Sequence, residues 1–374
     1  MTGIKINHYL IIIFCAITFE LFGQNVNYKC FNQFTYDDAS VLKTPVSNKD
    51  LILLGNSHGV AGDFSIILEL IKYLNRTSGV RHVLVERSYA DAYLINLYLQ
   101  TGDLEFMNYD PEWSSDMKYF IEGIYRFNQN LRPDKKIEFL GIDGVRAITP
   151  VVLAIQKMMP ENKEPNPLIK KFIDSLKRVD IPIKKTKAFK SAQQRLEEIE
   201  SMILIFGKEV YRNEVYYQEF FGDNFVHVQH IVSNVATLKK QNRNSDMYQN
   251  SLRIIKQLSI NEPMFGVFGS SHVAAKSKKN LAGLFQHEKM SPFKDNVIRI
   301  CVAYTNCQSA FEYNGNDEAV SIGIRSIDRL RFFTKISCND FFMEVPKNKE
   351  FGRLSDMYDY IIHVQNRSAI QFLK

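Results

Sequence analysis

The chain reads as an α/β protein, a mainly parallel sheet flanked by helices and carrying a helical insertion. Three features of its 374 residues lead there. Short aliphatic runs alternate with segments of helical period from residue 51 onward, the order that builds βαβ units. Two of the runs, LILLGNSH at 51–58 and MFGVFGSSH at 264–272, end in the same Gly-x-x-His step before a helical segment. Between about 150 and 258 the chain is rich in lysine and glutamate, lacks strand signals and carries long helical patterns, as an insertion or cap packed on the sheet would.

The first element is a leader. MTGIKINHYLIIIFCAITFELFGQNV has one lysine, an apolar stretch from Tyr9 to Phe19 and a polar exit. That stretch is short for a membrane span and fits a secretory signal peptide over residues 1–23. Residues 24–374 are then expected to form a single domain with no stable membrane span, secreted or periplasmic. Strand Leu51 to Leu54 leads into helix GDFSIILELIKYLNR, with Asp63 as its cap. Strand HVLVE (82–86) leads into helix YADAYLINLYLQ, closed by Gly102. Helix WSSDMKYFIEGIYRFNQNL starts at Trp113, the only tryptophan and a packing anchor, and precedes strand KIEFLGID at 136–143. In that helix Arg126 and Asn128 read as a solvated face, with anion binding by Arg126 the functional alternative. Two helices stand out in the insertion, SAQQRLEEIESMILIFGKEVY and DNFVHVQHIVSNVATLKK. Strand MFGVF (264–268), helix AAKSKKNLAGLFQ and strand NVIRICVAY (296–304) restore the α/β pattern, and the tail from about 305 reads as short strands and loops.

Composition bounds the partners. With 45% hydrophobic residues the chain can bury a core, and its net charge of +6 comes from scattered lysines rather than a dense basic stripe. A nucleic-acid partner is not expected, and a small-molecule or peptide substrate is. Removing residues 1–23 takes Lys5 and Glu20 together and leaves the charge unchanged. Cys30, Cys301, Cys307 and Cys338 then remain. An even number in an exported chain permits disulfides in three pairings, with buried free thiols as the other reading. None has the CxxC spacing of a structural zinc site.

Polar residues gather where each strand ends: His58 after the first, Glu86 at the end of the second, Asp143 after the third and His272 after the fourth. Ligands of open parallel sheets bind beyond the carboxyl ends of the strands. Two imidazoles and two carboxylates meeting there could move a proton near neutral pH or hold a metal. Singly, each has a plain structural role as a cap or ion pair. His227 and His230, with Asn234 further on, share one helix face and could bind a metal or touch the cleft; an ordinary half-buried helix is the plainer reading. GNSHG also spells the Gly-x-Ser-x-Gly nucleophile elbow, and Ser57, Asp143 and His272 follow in the order of a serine-hydrolase triad. That fold places several strands before its nucleophile, and little chain precedes Leu51 here.

In order, LILLGNSHG, VLVERSYADAYLINLYLQTGD, Trp113, YRFNQ and IEFLGIDG resemble the erythromycin-esterase-like family, allied to the ChaN-like and TraB/TIKI-like groups. The resemblance covers roughly residues 50–145 and 260–286. It implies a hydrolase of an ester, lactone or amide that uses activated water. His58 matches the first histidine of the pattern, Glu86 the strand-end glutamate and His272 the late histidine. His58 would deprotonate water, Glu86 would orient it or share a metal, and His272 would stabilise the oxyanion or protonate the leaving group. TIKI-like relatives are metal-dependent and ChaN-like relatives bind haem, so the resemblance also carries a divalent metal on His58, Glu86 and His272, or a haem- or metal-binding protein without catalysis. Many relatives have glutamate directly after the first glycine, where this chain has Asn56, with Asp63 the nearest acidic residue downstream.

Overall fold

Each residue of Leu51–Asn56 is buried, and that burial explains the sheet. Leu51 and Leu53 pack into one hydrophobic cluster, Ile52 and Leu54 into another. Successive side chains of a strand point to opposite faces, so a run that is apolar throughout needs cover on both sides. Central strands of parallel sheets have this property.

The computed structural model describes residues 27–42, 51–107, 114–179, 189–235, 242–274, 278–313, 316–322, 336–348 and 351–371. Its strands are β1 (Tyr28–Phe31), β2 (Leu51–Asn56), β3 (His82–Val85), β4 (Glu138–Gly141), β5 (Met264–Gly269), β6 (Val297–Thr305), β7 (Cys307–Tyr313), β8 (Asn316–Ile322), β9 (Asp340–Glu344) and β10 (Tyr360–Gln365). The helices are α1 (Asp63–Ser78), α2 (Tyr89–Thr101), α3 (Ser115–Gln129), α4 (Ile148–Met158), α5 (Pro167–Lys177), α6 (Phe189–Arg212), α7 (Glu214–Phe221), α8 (Phe225–Val235), α9 (Arg243–Gln257), α10 (Ser270–Val273), α11 (Leu281–His287) and α12 (Gly352–Met357).

Eight strands form one sheet in the order β1-β9-β10-β6-β2-β5-β3-β4. From β10 to β4 neighbours are parallel, and β9 and β1 add antiparallel at one edge. β7 and β8 form a separate antiparallel pair. Val152 of α4, Ile173 of α5, Phe206 of α6, Val228 of α8 and Ile254 of α9 cover the face that carries Leu51, Leu53 and Phe268. Leu70 of α1 and Phe120 and Ile124 of α3 cover the face that carries Ile52, Leu54 and Phe265. The insertion therefore supplies one of the two layers that a parallel sheet requires.

The edge strand β4 is protected by amides. Asn96 of α2 donates to the Phe139 carbonyl at 2.8 Å and accepts the Phe139 N–H at 2.8 Å. Asn128 of α3 does the same for Ile137, at 3.0 and 2.8 Å. Such pairing satisfies backbone groups that an open edge would leave bare. Asn128 is thus a buried structural group and not part of a solvated face, whereas Arg126 stays exposed beside Glu122.

Several expectations change. The polar lead segment contains β1, and the short strands expected in the tail include β9 and β10, which join the main sheet. Strand 136–143 shortens to β4; of the helix expected over 274–286 the described residues contain α11, and His272 sits in a separate short helix, α10, before it. Asp63 opens α1 but caps nothing: the N-cap is Gly62, which has no side chain to do so. The leader and Trp113 lie outside the described residues. Among the described residues no helix is long and apolar enough to cross a membrane.

Of the three cysteine pairings left open, the structure contains Cys30–Cys338, with Cα atoms 6.0 Å apart, while Cys301 and Cys307 are buried thiols outside any disulfide. The bridge ties β1 to the segment before β9 across a separation of 308 residues. Replacing both bridging cysteines by alanine should lower unfolding stability by about 2–4 kcal/mol, read as a shift of the urea midpoint.

Candidate active site

The two Gly-x-x-His steps are neighbours because β2 and β5 pair in parallel, with Gly55 opposite Phe268 and Asn56 opposite Gly269. β3 lies on the other side of β5 and β4 beyond it. The carboxyl ends of these four strands therefore bring His58, Glu86, Asp143 and His272 to one rim. His58 Nε2 lies 3.4 Å from Glu86 Oε2. Gly269 forms the floor between them: a Cβ there would stand 3.1 Å from His58 Nε2 and 3.4 Å from Glu86 Oε2.

The His58 turn is clamped from outside. The Gly59 carbonyl accepts N–H groups from Ala310 and Ile370, both at 3.0 Å, and the Ala61 N–H donates to the Ser368 carbonyl at 2.9 Å. Ser309 donates its hydroxyl to the His58 carbonyl. Gly59 has φ +85°, and a Cβ would fall 2.0 Å from the Ala310 oxygen, so only glycine fits. His58 itself projects outward, its side chain 54% exposed, whereas Glu86 is 8% exposed.

Two arginines complete the cluster. Arg243, first residue of α9, donates from Nε to Asp143 Oδ1 at 2.9 Å and from one terminal nitrogen to Asp143 Oδ2 and to Glu86 Oε1, the latter at 2.5 Å. Arg146 donates to Glu86 at 3.2 Å and to Asp143 at 3.1 Å. The Gly269 N–H adds a 2.7 Å bond to Glu86. Burial pushes the Glu86 carboxyl up, but the His58 ring, the Gly269 N–H and Arg243 outweigh it and hold the group well below the usual carboxylate range. Asp143 follows the same balance: burial raises it, and Arg243, Arg146 and the Gly144 N–H bring it below its ordinary value. Both carboxylates are therefore ionised at neutral pH.

His272 is held differently. Its Nδ1 meets Asn244 Oδ1 at 2.6 Å and its Nε2 faces the Arg243 guanidinium at 3.3 Å. An amide oxygen requires a donor and a guanidinium offers only donors, so this pattern assigns the proton to Nδ1 and a lone pair to Nε2. Burial lowers its pKa, Glu86 opposes that and Arg243 reinforces it. His272 is a neutral acceptor here, which does not suit protonating a leaving group.

The serine triad is not assembled. Asp143 bonds to the arginines and Gly144, both His272 nitrogens are turned to Asn244 and Arg243, and Ser57 N–H donates to the Tyr304 hydroxyl at 3.0 Å. The insertion histidines lie elsewhere: Tyr89 OH and His227 Nδ1 are 2.7 Å apart, and the fully buried His230 packs its ring 4.7 Å from that of Tyr89. Burial, with Arg253 and His227 nearby, pushes His230 down to about 3. This pair serves packing between α2 and α8.

A divalent metal on His58, Glu86 and His272 does not fit the donor set. Glu86 Oε1 already receives Arg243 and Arg146, His272 Nε2 faces Arg243, and only His58 remains open. Among the described residues no group of three or more His, Cys, Asp or Glu is arranged to hold a metal ion. Arg146, Arg243 and Asn244 were not singled out by sequence. Arg243 and Asn244 come from the insertion, and the one signal available was a basic residue at the start of a helix, where the macrodipole does not favour positive charge.

Sheet order, helical layers and rim define an α/β protein with the erythromycin esterase-like fold. Among solved structures the chain is similar to a Bacillus cereus protein, 15% identical over 93% of this chain and 97% of that one, with a TM-score of 0.65. It is similar to a succinoglycan biosynthesis protein, 15% identical over 92% and 96%, TM-score 0.66. It is also similar to a histidine variant of the erythromycin esterase EreC in its open conformation, 14% identical over 93% and 100%, TM-score 0.63. No family model matches the chain, and no curated protein matches it in sequence. At these identities the likeness is one of fold.

Proposed function

We propose that the protein is a hydrolase of an ester, lactone or amide in a small molecule or peptide, acting through water activated by His58. One observation carries this reading: an exposed imidazole held by a buried, ionised carboxylate at the carboxyl rim of a parallel sheet. Glu86 faces Nε2 and so favours the tautomer with its proton there, leaving Nδ1 as the base. His58 takes a proton from water as the hydroxide oxygen attacks the carbonyl carbon. The carbon–oxygen or carbon–nitrogen bond then breaks, and His58 returns the proton to the leaving group. One histidine thus serves both steps, as microscopic economy in acyl transfer allows, with no covalent intermediate. Arg146, 62% exposed at the mouth, supplies positive charge for the oxyanion. His272 keeps Arg243 in place, and Arg243 keeps Glu86 in place.

The cysteine bridge and the leader-like N-terminus support reading it as an exported protein, since disulfides persist in oxidising compartments. The test is a panel of ester, lactone and peptide substrates offered to the purified full chain, with and without chelator. Hydrolysis that Ser57→Ala retains and His58→Ala loses supports the proposal. A dead Ser57→Ala together with labelling of the wild type by a serine-directed probe refutes it. Gly269→Ala, whose Cβ would press on His58 Nε2, is expected to lower kcat/KM about 10- to 100-fold with little change in the unfolding midpoint.

A further inference from the structure

Behind the His58 turn lies a polar group that the proposed chemistry leaves unused. Asp63 is buried at the start of α1. Its Oδ2 accepts the Tyr304 hydroxyl proton at 2.5 Å and an Asn56 Nδ2–H at 3.1 Å. The Tyr304 oxygen in turn accepts the N–H of Ser57, the residue before His58, at 3.0 Å. Two more buried oxygens, Asp63 Oδ1 and Asn56 Oδ1, have no hydrogen-bond partner among the described residues. The titratable and charged groups facing this cluster are His58 on the turn, Tyr304 and Cys301 on β6, Cys307 on β7 and Arg367 after β10. His58 and Arg367 act on Asp63 through space, without a hydrogen bond.

An ionised Asp63 would be a buried anion with no cation in contact, next to an amide oxygen that also lacks a donor. Burial makes that arrangement strongly unfavourable. One proton resolves both defects. A carboxylic acid donates where a carboxylate cannot, and Asn56 Oδ1 is the acceptor that would complete an amide–acid pair whose other half, Nδ2–H to Oδ2, is already formed.

We propose that Asp63 is a positioning residue for the His58 turn: as a neutral acid paired with Asn56 it holds the Tyr304 hydroxyl, which holds the Ser57 N–H, so its protonation sets the shape of that turn. The idea goes beyond the hydrolase reading, and only its kinetic arm rests on it. Desolvation supports it, raising the Asp63 pKa to about 7 against the hydrogen bonds of Tyr304 and Asn56 and the fields of His58 and Arg367. Burial and Asp63 together raise the Tyr304 hydroxyl, which keeps it a donor. Because the folded pKa lies above the ordinary aspartate value of 3.8, the advantage of the neutral form is complete below that value. It is lost as pH rises through about 7.

The test compares wild type with Asp63→Asn, which freezes the neutral pattern, and Tyr304→Phe, which cuts the relay. At pH 6 the infrared carbonyl band of a protonated acid is expected in wild type and missing from Asp63→Asn. With His58→Ala throughout, so that the neighbouring imidazole adds no titration of its own, the Ser57 amide resonance should titrate near pH 7 when Asp63 and Tyr304 are intact and stay flat in both variants. The wild-type denaturation midpoint should fall relative to Asp63→Asn between pH 4 and pH 7. Where hydrolysis is present, its pH profile should lose a limb near pH 7 in Asp63→Asn, and Tyr304→Phe should lose roughly tenfold in kcat with KM little changed. Absence of the acid band at pH 6, as when a buried water satisfies an ionised Asp63, overturns the proposal. So does a Ser57 titration that persists in Asp63→Asn. If Asp63→Asn does not fold, a Ser57 resonance that titrates alike with and without Tyr304→Phe overturns it. A wild type without hydrolysis sinks the hydrolase reading alone, because the infrared, amide and unfolding readouts need no substrate.

Discussion

His58→Ala is expected to lower hydrolysis by about 10²–10⁴-fold, the usual contribution of a general base, while leaving the folded state nearly as stable. The His58 side chain is 54% exposed, and its buried partner Glu86, 3.4 Å away, keeps Arg243, Arg146 and the Gly269 N–H, so the solvent-screened pair is expected to contribute only about 0–1 kcal/mol. The backbone placement of His58 is secured independently by the bonds to Gly59 and Ala61. The loss should therefore appear in kcat with KM little changed and an unmoved urea midpoint. Glu86→Gln should reproduce much of the defect, because a neutral amide cannot steady the imidazolium. Combining the two changes should cost little more than either alone, since residues that act as one unit are strongly non-additive. Full additivity of the two losses would show that His58 and Glu86 act separately, against the proposed pairing.

Arg243→Ala is expected to be the most destabilising change at the rim. It leaves Asp143, with a side chain 4% exposed, and Glu86, 8% exposed, without the guanidinium that bridges them. Stripping one partner from a buried ion pair costs about 3–5 kcal/mol. Arg243 is itself 43% exposed, so solvent screening reduces the expected loss to about 2–3 kcal/mol. The loss depends on pH. Glu86 and Asp143 both have folded pKa values below their ordinary ones, so the stability they contribute is present above the ordinary carboxylate range and disappears as pH falls through the depressed values. Wild type and Arg243→Ala should differ most at pH 7 and converge in strong acid. Arg243→Lys should rescue only part, because an ammonium cannot present the planar fork that reaches both carboxylates and His272. Equal midpoints of wild type and Arg243→Ala at pH 7 would show that Arg146 alone neutralises the pair.

The four strand-end residues were legible because each belongs to a local pattern. An aliphatic run such as LILL announces a strand, a glycine announces the turn after it, and a polar residue there sits at the ligand-binding end of any parallel sheet. Arg243 and Asn244 had no such marker. They start a helix deep in the lysine-rich insertion, and Arg243 lies 157 residues from its partner Glu86. Asp63 was misread for a related reason. At the head of a helix an aspartate ordinarily caps, but the parallel pairing of β6 with β2 places Tyr304 over it and draws its carboxyl inward. The edge strand β1 was missed, and β9 was read only as one of the short strands of the tail, because both are short and gain their stability from antiparallel pairing to each other and, for β9, to β10.

By itself the sequence determined the α/β alternation, the position of the helical layer and the polar termini of β2 to β5, because hydrophobic period, turn residues and strand length are set within a few residues. The order of the strands, which makes GNSH and GSSH neighbours, was decided only in three dimensions, as were the contacts of His58, Gly269 and Arg243 that keep Glu86 ionised, the arginine bridge to Asp143 and the closed environment of Asp63. Each depends on which distant segments exclude water together. Pairing and charge burial are properties of the whole packed chain and cannot be read from any window of it.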